Sequence, residues 1–172
     1  KKKFRLEVKE LKQHNLKKIL KIDVNKKQIG SDRLANAISV INNKDNFIIL
    51  DFGTATTFDV VIKNRYKGGI IAPGVNLSLK TLVEKAKLIP NIELTKIKNI
   101  IGKNTQNAVR SGFYWGYQGL IQNIINIIEK KTKKKFKIIF TGGLSHLYRN
   151  TLKKKITVDK DLTVKGLLRL IN

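Results

Sequence analysis

Cysteine is absent from this chain of 172 residues. That removes disulfides, a thiol nucleophile and thiolate-bound zinc from consideration. Histidine occurs only as His14 and His146, far apart in sequence, which argues against a multi-histidine metal site. No apolar run is long enough to cross a bilayer, and the Lys-rich start has no apolar core of a signal peptide. The chain is therefore expected to be cytoplasmic. Methionine is missing too, including an initiator, so the sequence is expected to begin inside a longer parent.

Acidic residues are also scarce, 12 Asp+Glu against 36 Lys+Arg, for a formal net charge of +24. So basic a chain raises nucleic acid or an anionic membrane as partner. Here the charge is dispersed, mostly Lys, and accompanied by abundant Ile and Asn. It reads as a compositional bias more than as a binding face; a nucleic-acid module would rest on charge alone. At 41% hydrophobic the chain can bury a core of one domain or slightly more.

The stretch Phe47 to Val61, FIILDFGTATTFDVV, organises the rest. A β-rich run delivers Asp51 to a turn of Gly53, Thr54, Ala55, Thr56 and Thr57, and a second run, Phe58 to Ile62, leaves it. A carboxylate at a strand end beside backbone N–H groups and hydroxyls can hold a phosphate and a cation. The same residues also suit an ordinary hairpin.

Upstream, a strand is expected at Phe4 to Val8, a helix over Lys9 to Leu20 and a short strand near Lys21 to Val24. In Gly30 to Asn42, Ser31 can cap a helix with Asp32 in its first turn, where the dipole favours a carboxylate. Leu34, Ala37, Ile38 and Ile41 form its apolar stripe. A third strand is expected over Arg65 to Ile71, then a helix starting at Asn76 or Ser78 and ended by Pro90. Asn104 or Thr105 caps a long helix to about Lys131. Its glycines at 112, 116 and 119 each cost up to ~1 kcal/mol against Ala, which points to a close helix–helix seam or to packing on a sheet, with the seam preferred. Lys135 to Phe140 reads as a strand leading into Gly142-Gly143, and Leu144 to Leu152 as a helix. A short strand, Ile156 to Val158, and a helix from a Thr163 cap to Leu170 close the chain. Three strands followed by helices and further strands is not a βαβ alternation.

GSDRLAN, DFGTATTFDVV, GGIIAPGVNLSLKTLVEKAKLIP, IGKNTQNAVRSGFYWGYQGL, TGGL and LTVKGLLRLI together resemble type III pantothenate kinase. The resemblance runs from Gly30 to Ile171. It implies an α/β, ribonuclease H-like (actin-like ATPase) fold, in the superfamily of acetate and sugar kinases, Hsp70 and actin. It implies residues 1–29 as a remnant of a first half, 30–46 as a connecting helix and 47–172 as the second half. The first half's Asp-x-Gly-Asn-Thr loop, which in the family faces the ATP phosphates and magnesium, has no match here. The family often carries Tyr and Pro upstream of the Gly-x-Asp-Arg motif, where this chain has Asp23 to Lys27.

By this resemblance the activity is ATP-dependent phosphorylation of pantothenate, the first step of coenzyme A biosynthesis, with Mg2+, and these 172 residues alone have negligible turnover. Asp32 is the general base; Gly30, Ser31, Asp32, Arg33 and Thr105 bind pantothenate, Arg33 through its carboxylate. Gly53, Thr54, Gly142 and Gly143 bind ATP, and Asp51 holds a monovalent cation, K+ or NH4+. A homodimer is implied, with pantothenate near the subunit interface. The alternatives are another kinase of the superfamily and a non-catalytic regulatory or binding relative.

Overall fold

The computed structural model describes residues 10–150 and 152–171. The strand expected at Phe4 to Val8 lies outside them. One mixed sheet of six strands organises the rest, in the order β1-β4-β3-β2-β5-β6. β2 (Asn46–Phe52), β3 (Ala55–Ile62) and β4 (Arg65–Pro73) form an antiparallel meander. β5 (Lys137–Gly142) joins β2 in parallel, β6 (Ile156–Val158) joins β5, and β1 (Lys21–Ile22) joins β4, both also in parallel.

β2 has an unbroken apolar run because it is central and covered on both faces. Phe47 and Ile49 point to one face; Ile48, Leu50 and Phe52 point to the other. On the first face lie α1 (Ser31–Val40) and α5 (Leu162–Ile171). On the second lie α2 (Val75–Lys85), α3 (Thr105–Thr132) and the single turn α4 (Ser145–Tyr148). α1 is buried at five successive positions, Leu34 to Ile38, because the sheet covers one side and α5 another.

Several expectations are corrected. Residues 10–20 form two 3₁₀ turns, Leu11–Gln13 and Leu16–Lys18, rather than a helix. Leu11, Leu16 and Leu20 all reach the core, but a spacing of five between the first two does not fit one helical face. Gly30, not Ser31, is the N-cap of α1, and Thr163 lies inside α5 instead of capping it. α2 starts after Gly74 and ends at Lys85, well before Pro90. The helix after Gly143 is one turn, not the run to Leu152. Asn104 does cap α3, its Oδ1 accepting from the Asn107 N–H at 2.9 Å.

The hairpin is also tighter than expected. Its turn is Gly53-Thr54 alone, so Ala55, Thr56 and Thr57 belong to β3. Asp51 accordingly sits within a strand, opposite Thr57 on one side and Thr141 on the other.

Candidate active site at the sheet's carboxyl edge

The parallel pair β2 and β5 ends side by side, Phe52 opposite Gly142. This sets the exposed Gly53-Thr54 turn beside the exposed Gly143. Gly142 has φ +82°, and a Cβ there would lie 2.6 Å from Asp51 Oδ1 and 2.7 Å from the Phe52 backbone. Only glycine tolerates both the dihedral and the close approach.

Asp51 points to the α1 face. Its Oδ2 accepts from Asn36 Nδ2 at 3.1 Å, and Asn36 Oδ1 accepts from the Thr163 hydroxyl at 2.7 Å. Asn36 is fully buried, so this chain ties the C-terminal helix to the Asp51 carboxyl. Burial pushes that carboxyl above its ordinary range; the Asn36 bond opposes the shift and the nearby Asp32 charge adds to it. On the same face Thr57 carries a buried hydroxyl with no hydrogen-bond partner.

Asp32 is exposed in the first turn of α1 and curls back over Gly30, where a Cβ would meet its Oδ1. Arg33 turns inward instead. Its Nε and Nη2 donate to Asp59 Oδ1 at 2.8 and 2.7 Å, and the Tyr66 hydroxyl donates to the same oxygen at 2.5 Å. Asp59 is fully buried, and burial pushes its carboxyl up while Arg33 and Tyr66 pull it back. Burial, reinforced by Asp59, holds the Tyr66 phenol far above its usual range.

Asp51, Gly53, Thr54, Gly142 and Gly143 thus gather at one end of the sheet, with the exposed Asp32 near enough for its charge to act on Asp51, while Arg33 points inward to Asp59. Thr105 does not join them. α3 has 28 residues, about 42 Å at 1.5 Å per residue, and its contacts with the core of that face run from Tyr114 through Ile121 and Ile125 to Ile128. Tyr117 already reaches the end of β4, its hydroxyl donating to the Pro73 carbonyl at 3.2 Å. Thr105 lies twelve residues nearer the helix N-terminus and is exposed, on turns that pack against residues 93–102.

The sequence alone points to no site role for Asn36, Asp59 or Tyr66, and only to a helix cap for Thr163. A signal existed for Asp59, a charge within the otherwise apolar Phe58 to Ile62. Asn36 and Thr163 carried none, since polar residues in helices are usually solvated.

The residues present fit a monovalent cation: a carboxylate oxygen held open by Gly142 and a buried unpaired hydroxyl on the neighbouring strand form a hard-oxygen set. The Gly53-Thr54 turn and the bare Gly143 fit approach by a nucleotide's phosphates and base.

The family model for type III pantothenate kinase matches residues 1–127. A Pelagibacter ubique type III pantothenate kinase is 65% identical over 169 residues, covering 98% of this chain and 68% of the relative. Further relatives of that name, 42% and 45% identical, are matched over 55% and 54% of their length, so the chain spans about half of them. Among solved structures, a Campylobacter jejuni protein named for the Baf family of transcriptional activators superposes with TM-score 0.62 at 23% identity, covering 91% of this chain and 70% of that one. A Sinorhizobium meliloti protein named for 2-dehydro-3-deoxygalactonokinase gives 0.59 at 10% identity, covering 81% and 57%. These likenesses show the fold, the ribonuclease H-like α/β fold of actin-like ATPases. With the family model matched over most of its length, the chain belongs to the type III pantothenate kinase family.

Proposed function

We propose that a protein of full family length carrying this chain transfers the γ-phosphate of ATP to the primary hydroxyl of pantothenate, at the entry to coenzyme A biosynthesis and in the cytoplasm. The observation that carries this is the placement of Asp32 at the same open edge as Asp51 and the Gly53-Thr54 turn. In this reading residues 47–172 are the second ribonuclease H-like half, 30–46 the connecting helix and 1–29 the end of the first half, whose phosphate loop supplies the other jaw and the Mg2+ site.

The pantothenate oxygen forms the new bond to the γ-phosphorus as the β,γ-bridging P–O bond breaks and ADP leaves; the hydroxyl proton passes to Asp32. Such a transfer depends on positioning and charge stabilisation above all. Gly30 and Ser31 line the acceptor pocket, and Arg33 meets the pantothenate carboxylate through the part of its guanidinium that Asp59 does not hold. Gly53, Thr54, Gly142 and Gly143 face ATP. Asp51 and Thr57 would hold K+ or NH4+, which offsets phosphate charge near the turn.

Thr105 supports a homodimer. Between α2 and α3 lies an apolar groove of about 420 Å³, lined by Pro73, Leu82, Val109, Gly112, Phe113 and Gly116. Neither Gly112, Gly116 nor Gly119 has any neighbouring atom where a Cβ would stand. The glycine face is thus bare within the chain, as a seam requires, and the exposed Thr105 on the same helix would reach the partner's acceptor pocket.

Acceptor competition tests the function. Pantothenate should be phosphorylated in preference to acetate and sugar acids; preference for one of those would make this another kinase of the superfamily, and no transfer at all a non-catalytic relative. Gly30→Ala is a finer probe. The added methyl displaces the Asp32 side chain rather than backbone, so the melting temperature should hold while kcat falls about tenfold or more.

A further inference from the structure

Asp59 and Tyr66, which hold Arg33 beneath the Gly-Ser-Asp-Arg turn, touch neither acceptor nor ATP in the transfer as described. A buried charge pair is a poor source of stability, since well-packed apolar residues of similar volume usually do as well or better. Yet three elements are committed to this one. α1 supplies Arg33, β3 supplies Asp59 at zero exposure, and β4 supplies Tyr66, itself buried. All three donors converge on Asp59 Oδ1. On β4, a Cβ on Gly69 would lie 2.1 Å from the Phe58 carbonyl and 2.5 Å from Arg33 Nη2. Backbone and guanidinium together therefore exclude a side chain at position 69, and the guanidinium packs directly over this glycine. Two of its nitrogens face Asp59, which restricts Arg33 to a single orientation and leaves Nη1 for an incoming anion.

We propose that Asp59 and Tyr66 are positioning residues for acceptor recognition: they lock the Arg33 guanidinium over Gly69 so that Nη1 is presented to the carboxylate of the acceptor. This rests on the reading of Arg33 as the group that meets that carboxylate. An arginine without this anchor would sample several rotamers, and the acid would lose its advantage over a neutral acceptor of the same shape. Tyr66 acts only through Asp59, so its effect is the smaller.

The test compares pantothenate with its neutral alcohol counterpart, pantothenol, as acceptors for the full-length protein and its Asp59→Asn and Tyr66→Phe variants. Asp59→Asn should lower kcat/KM for pantothenate by about tenfold to a hundredfold, chiefly through KM, and Tyr66→Phe by several-fold. The values for pantothenol and the KM for ATP should stay within about twofold, so that the preference for the acid narrows. A merely structural role would instead depress both acceptors alike. Equal losses for the two acceptors, or an undiminished preference in a folded Tyr66→Phe protein, overturn the proposal. Tyr66→Phe keeps the ring and so decides the matter if Asp59→Asn fails to fold. A wild-type protein that phosphorylates pantothenate but does not prefer it over pantothenol overturns the Arg33 reading and this proposal with it. A preference that survives in both variants overturns this proposal alone.

Discussion

Asp32→Asn, made in a protein of full family length, should lower kcat by about 10²- to 10⁴-fold, the usual worth of a positioned general base. The amide is nearly isosteric, and the side chain is exposed in the first turn of α1, so folding should be almost untouched. The loss of a favourable charge at the helix N-terminus costs about 0.3–1 kcal/mol at most. KM for ATP should hold, because the residues proposed to meet ATP lie on the Gly53-Thr54 turn and at Gly142-Gly143. Steady-state kinetics with a thermal melt separates these effects. A variant that melts like wild type and keeps more than about a tenth of kcat would remove Asp32 from the chemistry.

The second large effect is structural. Gly166, on α5, lies against the backbone of α1: a Cβ there would be 1.9 Å from the Ala35 carbonyl oxygen and 2.5 Å from its carbon. No rotamer relieves a clash with backbone, so α5 must move away. Gly166→Leu should cost about 3 kcal/mol or more, the upper range for overpacking. For a domain of this size that lowers the melting temperature by about 6–12 °C. The damage should reach the site as well. α5 also holds α1 through Arg169, whose Nη1 donates to the carbonyls of Ile38, Ser39 and Ile41, and holds Asp51 through Thr163 and Asn36. Gly166→Leu should therefore raise the K+ concentration needed for half-maximal activation in whatever fraction remains folded. A melting temperature within about 2 °C of wild type would contradict the packing described.

Gly166 also shows where sequence reading succeeds and where it stops. A glycine inside a helix signals close approach, and the three in α3 point to a helix–helix seam or to packing on a sheet. Those three prove bare within the chain, while Gly166 makes the tight contact. Propensity flags the cost of a glycine but not which neighbour offsets it. The meander and β6 are legible as β-rich apolar runs between turn residues, α3 through its Asn104 cap, and α5 through its strong apolar stripe. Residues 10–20 are not, because their leucines fit no single helical face. At the site, Asp51 and the Gly53-Thr54 turn stand out as a carboxylate beside small and hydroxylated residues, while the roles of Asp32 and of Gly142-Gly143 come only from the family resemblance. Those of Asn36, Tyr66 and Thr163 could not be read, because they arise from α1, α5 and β4 meeting across more than a hundred residues of chain or between separate strands. Thr105 is the instructive case: a matching motif position that the single chain leaves at the far tip of a helix.

FIILDFGTATTFDVV accordingly has a narrower role than its pattern alone implies. Asp51 is a strand residue braced by α1 and α5, and Asp59, from the same stretch, braces Arg33. The most direct test follows γ-labelled ATP in the full-length protein with pantothenate, in K+ or in Na+, beside the Asp32→Asn variant. Label should appear in 4'-phosphopantothenate, depend on K+, and be all but lost in the variant. Label transferred to pantothenate without regard to Asp32, or not transferred to pantothenate at all, would contradict the account.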